Sequence, residues 1–236
     1  MKNRELREEV CEANLALVRH GLVTLTWGNV SGIDRSAGVV AIKPSGVSYE
    51  AMGPEHMVLV DLAGQVVEGT LRPSSDTPTH LELYRAFGEI GGVCHTHSRQ
   101  ATAWAQGCRG IPCLGTTHAD HFYGEVPVTE VMTAQEIAED YEGNTGKLIV
   151  RRFAGMSAMS MPAVLVANHG PFTWGRTAGA AVENALVLEE VAGMALATLV
   201  VRPGQGSISQ VLLDKHFLRK HGPGAYYGQK GDSANR

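Results

Sequence analysis

Three histidines lie at the ends of two apolar segments. His95 and His97 are two residues apart in Val93–His97, a predicted strand whose alternate side chains share one face. His169 follows a second apolar segment, Val164–Asn168, and precedes a glycine. Three neutral imidazoles with one open position describe a catalytic zinc site. We therefore predict that these three histidines bind Zn²⁺; for His95 and His97 taken alone, a pair of hydrogen-bonded histidines at a strand end is the alternative.

A carboxylate, that of Asp76, lies at the start of the predicted helix that precedes the strand with His95 and His97. Asp76 precedes Thr77-Pro78, which reads as an N-cap followed by proline at the first helical position and opens a helix through about Phe87. Asp76 has three interpretations: a fourth metal ligand, a carboxylate beside the ligands, or a simple helix cap. We retain all three at this point.

Small polar residues form three loops that suit an anion. Main-chain amides approach an anion closely where side chains are small, and hydroxyl groups add donors. Singly, each loop contains only what any turn requires. Together with Lys43, which can supply a positive charge, they suit a phosphate ester. The loops are Thr26-Trp27-Gly28-Asn29, Pro44-Ser45-Gly46 and Pro73-Ser74-Ser75.

The elements that must position these residues alternate between short strands and helices. Strand clusters separated by helices predict an α/β fold, a three-layer α/β/α domain with a central, largely antiparallel sheet. Residues 1–228 form a single domain in this interpretation, and residues 229–236 form a disordered tail. Predicted strands are 22–31, 39–43, 57–61, 66–67, 93–97 and 164–168; predicted helices start at Leu6, Thr77, Ser98, Thr133, Ala178 and Val211.

Composition narrows the class of partner. The chain has 236 residues and a net charge of −4, which gives no basic field for nucleic acid and favours a small substrate. Its charged N-terminus lacks the apolar core of a secretory signal, so we expect a cytoplasmic protein. The segment Ala178–Val201 is long enough to cross a membrane, but Glu183, Glu189 and Glu190 favour a helix in the core or between subunits.

The chain resembles the bacterial L-ribulose-5-phosphate 4-epimerases of the class II aldolase/epimerase superfamily. The resemblance covers nearly the whole chain in one order of blocks, which makes chance a poor explanation. Residues 151–161 match no motif and stay unassigned. The matching blocks are residues 22–31, 42–47, 73–80, 95–98, 115–120, 169–172, 212–216 and 226–228.

The resemblance implies a role for each matching residue. It implies zinc on His95, His97 and His169, with Asp76 a weaker or adjacent ligand. Asp120 and Tyr227 match the two acid/base groups. A homotetramer with shared active sites is implied as well, in which the neighbouring subunit supplies His216 and Arg219. The resemblance also implies a set of substrate and phosphate contacts, which Lys43 and Thr116 from the matching blocks complete. The predicted contacts are Gly28, Asn29, Lys43, Ser45, Gly46, Ser74, Ser75, Thr116, His216 and Arg219.

The resemblance also implies a reaction, the interconversion of L-ribulose 5-phosphate and D-xylulose 5-phosphate. The hydrogen on C4 is not adjacent to the carbonyl, so we expect zinc-assisted retro-aldol cleavage of the C3–C4 bond and re-addition. Three histidines also accept manganese or cobalt. One alternative is an aldolase of the L-fuculose-1-phosphate type, in which we expect glutamate where this chain has Asp76. A second is a zinc-stabilised scaffold without activity. The pathway stays open between arabinose, ascorbate and L-xylulose breakdown.

Overall fold

The computed structural model describes residues 3–227, so residues 1, 2 and 228 and the predicted tail at 229–236 lie outside the described residues. The helices are α1 (Arg4–Arg19), α2 (Thr77–Ala86), α3 (Arg99–Gln106), α4 (Thr116–Ala119), α5 (Ala134–Arg152), α6 (Ala178–Val201) and α7 (Gln210–His221). The strands are β1 (Asn29–Asp34), β2 (Val39–Ile42), β3 (Val58–Asp61), β4 (Val66–Glu68), β5 (Gly92–His95), β6 (Ala163–Leu165) and β7 (Pro171–Gly175).

The seven strands form one antiparallel sheet in the order β4-β3-β2-β1-β5-β7-β6. Strands β1 to β4 follow one another as a meander. Strand β5 then pairs with the free edge of β1, and β7 joins β5 on its other side. The prediction of a largely antiparallel sheet in an α/β fold is confirmed, and β5 lies between partners that are distant in sequence.

Helices pack on the sheet through alternate strand residues. Val40 and Ile42 of β2 belong to a core that α2, α3 and α5 share, whereas Ala41 between them belongs to a core with α1. Helix α6 contributes to both cores. This alternation follows from the two-residue period of a strand. Because alternate side chains of the central strands are used in the two cores, a site on the sheet has to form at the ends of the strands.

Three predicted strands start or end at least two residues away from the observed ones. In residues 22–31 the strand begins only at Asn29, because Leu25 and Gly28 have φ of 53° and 77°, which extended backbone does not allow. Strand β5 ends at His95, which pairs with Phe172; the first residue of β7, Pro171, has no N–H with which to continue the pairing. Strand β6 ends at Leu165, and β7 was not predicted.

Helix α2 begins one residue earlier than the capping pattern predicts. Asp76 occupies the N-cap and Thr77 is already helical, so the prediction of Thr77 as N-cap is wrong. The Asp76 side chain makes no capping hydrogen bond, which removes the simple helix cap as its explanation. Its carboxylate is therefore available to the site.

Helix α6 is the one helix among residues 3–227 that is long and apolar enough to cross a membrane. Its side chains Leu188, Val191 and Ala192 are buried in the core. Glu189 accepts hydrogen bonds from the amides of Gln100 and Ala101 at the start of α3, at 2.8 and 3.0 Å. The helix packs on the sheet, in agreement with the core helix that was one of the two alternatives to a membrane span.

Candidate metal centre and acid/base cluster

His95 is held rigidly at the end of β5. It lies between Asn29 of β1 and Phe172 of β7 and is buried. Its Nδ1 is 2.9 Å from the main-chain oxygen of Pro171, and its ring stacks on Phe172 with centroids 4.2 Å apart. Because a carbonyl oxygen only accepts, Nδ1 carries the proton. The Nε2 lone pair of His95 is therefore free.

His97 and His169 lie outside the strands, yet their rings meet His95. His97 is two residues beyond β5, so strand alternation does not explain its direction, but its Nε2 lies 3.1 Å from Nε2 of His95. His169 follows Asn168, whose φ of 63° turns the chain between β6 and β7. One ligand nitrogen of each ring lies within 4.8 Å of the other two. The structure thus brings together the three predicted histidines.

The electrostatics of this group suit a metal. Burial, then the neighbouring His95 and His97, lower the pKa of His169 to about 4. Burial and His95 also lower the pKa of His97. Both rings are neutral at pH 7, as metal ligands must be. Tetrahedral Zn–N bonds of about 2.1 Å place two ligand nitrogens about 3.4 Å apart. The Nε2 atoms of His95 and His97 are 3.1 Å apart, close to that separation, so the residues fit a divalent transition metal.

Asp76 borders the histidines without belonging to the converging set. Its Oδ2 accepts from Nδ2 of Asn29 at 2.6 Å. Burial alone would raise the pKa of Asp76, but His95, His80 and the Asn29 hydrogen bond outweigh it, and the pKa is lowered. The carboxylate is charged at neutral pH and compensates positive charge beside it.

The three small-residue loops and the histidines line one pocket of about 560 Å³. We call it the histidine pocket. Every residue of the three predicted loops except Pro73 contributes to it. Its lining is Thr26, Trp27, Gly28, Asn29, Lys43, Pro44, Ser45, Gly46, Ser74, Ser75, Asp76, His95, His97 and His169.

Lys43 brings a buried cation to this pocket. Its Nζ lies 3.3 Å from the main-chain oxygen of Thr26 and 3.4 Å from that of Pro44. Burial lowers the pKa of Lys43, and Asp76 partly opposes this effect. The two hydrogen-bond partners of the Lys43 ammonium group are uncharged carbonyl groups. An ammonium group so placed favours an anionic ligand, since a buried charge needs a counter-charge.

Main-chain bonds hold the loops against each other. The amide of Ser45 donates to the main-chain oxygen of Arg72 at 2.9 Å, and the amide of Ser74 donates to the main-chain oxygen of Lys43 at 3.0 Å. Gly28 has φ of 77°, and a Cβ there would lie 2.9 Å from the main-chain oxygen of His95. Only glycine lets this loop pass so close to β5, the strand that ends at His95.

Asn29 connects the loops to the histidines. Its Nδ2 donates to Ser74 Oγ at 3.0 Å as well as to Asp76. Its Oδ1 is buried and has no hydrogen-bond partner within residues 3–227. A buried acceptor left open in a pocket is a place for a ligand donor.

A second group of charged residues surrounds Asp120, at the end of α4. Its carboxylate oxygens lie 3.0 Å from Nδ1 of His216, 2.7 Å from Nη2 of Arg219 and 3.8 Å from Nζ of Lys220. Burial would raise the pKa of Asp120, but hydrogen bonds from Arg219 and His216 outweigh it and lower the pKa. The carboxylate is a charged proton acceptor at neutral pH.

Tyr227 lies over the same cations. Its ring centroid is 5.0 Å from the Arg219 guanidinium carbon and 4.6 Å from Nζ of Lys220. We call Asp120, His216, Arg219, Lys220 and Tyr227 the Asp120 cluster. The structure brings the predicted residues Asp120, His216, Arg219 and Tyr227 together and adds Lys220. It places Thr116 at the start of α4, but none of these residues lines the histidine pocket of the same described chain.

Two residues touch these groups without having been predicted as site residues: Trp27, which the sequence placed in a loop, and Lys220. Trp27 lines the histidine pocket, with its ring centroid 6.3 Å from that of His97; its place between the predicted loop residues was the available signal. Lys220, next to Arg219, had no signal beyond its charge. Residues 151–161 have a packing contact, since Ala158 accepts from the Trp174 indole at 2.8 Å.

Comparison with known proteins assigns the chain a family model. Residues 8–196 match the model described as "Class II Aldolase and Adducin N-terminal domain". That match covers most of the chain, including the three histidines, the three loops and Asp120. Residues of α7 and Tyr227 lie beyond it.

Solved structures share the fold. An L-fuculose 1-phosphate aldolase is 25% identical, with a TM-score of 0.73 over 92% of this chain and 96% of the other. The L-fuculose-1-phosphate aldolase from Thermus thermophilus is 24% identical, with a TM-score of 0.66 over 86% and 100%. An aldolase II superfamily protein from Pseudomonas syringae is 18% identical, with a TM-score of 0.75 over 95% and 88%.

Proposed function

The chain belongs to the class II aldolase and adducin family, and from this membership we propose that it is a metal-dependent isomerase that interconverts L-ribulose 5-phosphate and D-xylulose 5-phosphate. The observation that carries the proposal is the single pocket that joins three converging histidines to the buried cation Lys43. The histidines at one end of the pocket suit a metal, and Lys43 at the other end suits a phosphate. A small phosphorylated ketopentose meets both requirements.

His95, His97 and His169 would hold Zn²⁺, which when bound supplies a Lewis acid for the substrate carbonyl oxygen. Asp76 would stay beside them as a charged carboxylate. Lys43 would bind the phosphate with the hydroxyl groups of Ser45, Ser74 and Ser75 and the amide of Gly46. Asn29 Oδ1 would accept a hydrogen bond from a substrate hydroxyl.

Two proton-transfer groups complete the reaction in this proposal. As the C3–C4 bond breaks, its electron pair goes to C3 and the C4 hydroxyl loses its proton to one group. Glycolaldehyde phosphate then turns its other face, the bond reforms, and the C4 oxygen takes a proton from the other group. Asp120 would serve one epimer and Tyr227 the other, because the C4 oxygen points to opposite sides in the two epimers.

A second copy of the chain would supply these two groups. Asp120, His216, Arg219 and Tyr227 do not line the histidine pocket of their own chain within residues 3–227. We propose a cytoplasmic homotetramer in which each histidine pocket faces the Asp120 cluster of a neighbour. A three-layer α/β/α arrangement, supported by the two cores on the sheet, belongs to the same proposal.

An aldolase is the second candidate, because two of the similar solved structures are L-fuculose 1-phosphate aldolases. The same histidines and Lys43 would serve it, but the fragments would leave. Asp76 favours the epimerase, since its side chain is shorter than the glutamate that we expect in aldolases.

The test is to incubate the purified protein with L-ribulose 5-phosphate, with and without a chelator, and to assay D-xylulose 5-phosphate and free glycolaldehyde phosphate. We expect metal-dependent D-xylulose 5-phosphate with little free aldehyde. Accumulating aldehyde would indicate an aldolase, and L-fuculose 1-phosphate is then the substrate to assay. A folded protein with neither activity would favour a zinc-stabilised scaffold.

A further inference from the structure

Tyr141 contacts one of the three histidines from outside the histidine pocket. Its Oη lies 3.2 Å from Nδ1 of His169, and the two rings lie 6.0 Å apart at an interplanar angle of 25°. We infer that Tyr141 is a positioning residue: its hydroxyl oxygen accepts a hydrogen bond from Nδ1 of His169 and thereby directs Nε2 of that ring to the metal. The inference rests on the metal site of the proposed function and not on its substrate.

The direction of this hydrogen bond decides whether His169 can bind a metal. If the tyrosine hydroxyl donated to Nδ1, the proton of the neutral ring would be on Nε2 and would block that nitrogen. If Nδ1 donates, the Nε2 lone pair is free. A metal selects the second arrangement, and the contact then holds the ring in the orientation that binding requires.

The chain is built locally to place Tyr141 there. Helix α5 breaks at Asp140, whose φ of −162° and ψ of 80° are not helical. Asp140 Oδ1 accepts from the amide of Gly143 at 3.2 Å, as a cap for the second part of the helix. Asn144 Nδ2 donates to the carbonyl of Glu136 at 2.8 Å and replaces a bond that the break removes.

Further contacts hold the second part of α5 in place. Thr79 of α2 donates to the carbonyl of Glu142 at 2.6 Å, and Thr145 donates to that of Tyr141 at 2.8 Å. The backbone is thus fixed at the carbonyl groups of Tyr141 and of the residue after it, although the Tyr141 side chain is 38% exposed. An exposed ring on a fixed backbone beside a ligand is not required for core packing, and positioning His169 accounts for it.

The two anchored ligands differ in what anchors them. The Nδ1 of His95 meets a main-chain oxygen, that of Pro171, which no substitution removes. The Nδ1 of His169 meets a side chain. The contribution of Tyr141 can therefore be measured by removing one oxygen atom.

The experiment compares Tyr141→Phe with Tyr123→Phe. Tyr123 is 40% exposed, and its hydroxyl donates to Asp214 rather than to a histidine, so its variant is a matched control. Metal-free wild type and both variants are titrated with Zn²⁺ against a chromophoric chelator. We expect Tyr141→Phe to weaken zinc binding about 10- to 100-fold, as loss of a partner of a ligating histidine does, and Tyr123→Phe to bind as wild type.

Equal zinc affinity in Tyr141→Phe and Tyr123→Phe would overturn the inference and leave the proposed function intact. A wild type that binds no zinc would overturn both. Nitrogen-15 NMR of the histidine rings gives an independent readout. We expect Nδ1–H as the main tautomer of His169 in the zinc-loaded wild type; a ring protonated on Nε2 there would contradict the inference.

Discussion

The histidine pocket and the Asp120 cluster solve opposite electrostatic problems. In the pocket, burial lowers the pKa of His97 and His169, so the rings are neutral and offer lone pairs. In the cluster, hydrogen bonds from His216 and Arg219 overcome burial and lower the pKa of Asp120, so the carboxylate is charged. The pocket is short of positive charge near its histidines, whereas the cluster has an excess of it around one carboxylate.

The two regions also differ in how they are built. The pocket is assembled at one end of the sheet, where β1 and β5 bring Asn29 and His95 side by side. The cluster joins α4 to α7 mainly through side chains, with one contact from the His221 ring to the main-chain oxygen of Asp120. The comparison leads us to expect that metal binding and proton transfer are separable, so that a substitution in one region leaves the other in place.

Removing the metal should have the largest effect. His97→Gln, or a chelator, should lower turnover about 10³-fold, because a bound metal contributes several kcal/mol to the reaction and 1.36 kcal/mol is tenfold in rate. Although the His97 ring lines the pocket, the residue as a whole is exposed, so the fold should persist, which circular dichroism checks. His20→Gln, at an exposed position, is the control. An unchanged rate in His97→Gln would refute the metal site.

Asp120→Asn should come next and should leave zinc in place. Loss of one proton-transfer group lowers turnover about 10²-fold or more. Zinc content by atomic absorption should equal that of the wild type, since the cluster does not line the pocket of its own chain. Loss of zinc from Asp120→Asn would show that the two regions are not separable and that Asp120 is structural.

Lys43→Met should act on binding. Removal of one charge-assisted hydrogen bond to the phosphate, worth about 1.5–3 kcal/mol, should raise KM about 10- to 100-fold with a smaller change in kcat. Lys147→Met, on α5 beside Asn144, is the matched control. A change in kcat with KM unaltered would place Lys43 in the chemistry rather than in phosphate binding.

Acid should separate the regions by the pH at which each loses stability. The folded-state pKa of His169 is about 4, below its unfolded value near 6.5, so the unfolded chain takes up the proton first. Stability of the metal-free protein therefore falls as pH drops from 6.5 to 4. The lowered pKa of Asp120 acts only at lower pH, as its carboxylate becomes protonated on approach to the folded-state pKa.

The check is urea unfolding of metal-free variants at several pH values. His169→Asn should flatten the dependence between pH 6.5 and 4 by on the order of 1 kcal/mol per pH unit. Asp120→Asn should leave that slope unchanged. A flattened slope in Asp120→Asn alone would reverse the comparison.

Much of the fold and of the pocket could be predicted from local signals. Helical spacing located α1, a capping box located α5, and an apolar segment followed by a glycine turn located His169. The ends of strands could not be predicted, because a left-handed residue such as Leu25 has no composition signal. Tyr141 was equally hidden, since it depends on a break inside a helix that the sequence pattern reads as continuous.

The Asp120 cluster marks another limit. Its partners lie about a hundred positions away in the chain, and their meeting depends on how α7 returns to α4. No spacing rule covers such a contact. Only resemblance to a family named Asp120, His216, Arg219 and Tyr227 together.

The sheet order has a consequence for synthesis on the ribosome. Strands β1 to β4 can pair as each one emerges, and β5 joins β1 soon after. His169 and β7 arrive many residues later, a delay of several seconds at about 5–20 residues per second. Until then His95 and His97 stand at an open sheet edge, without the Pro171 oxygen that fixes the His95 ring. The three histidines therefore come together only after β7 has been synthesised, so we expect metal binding to follow the synthesis of that strand.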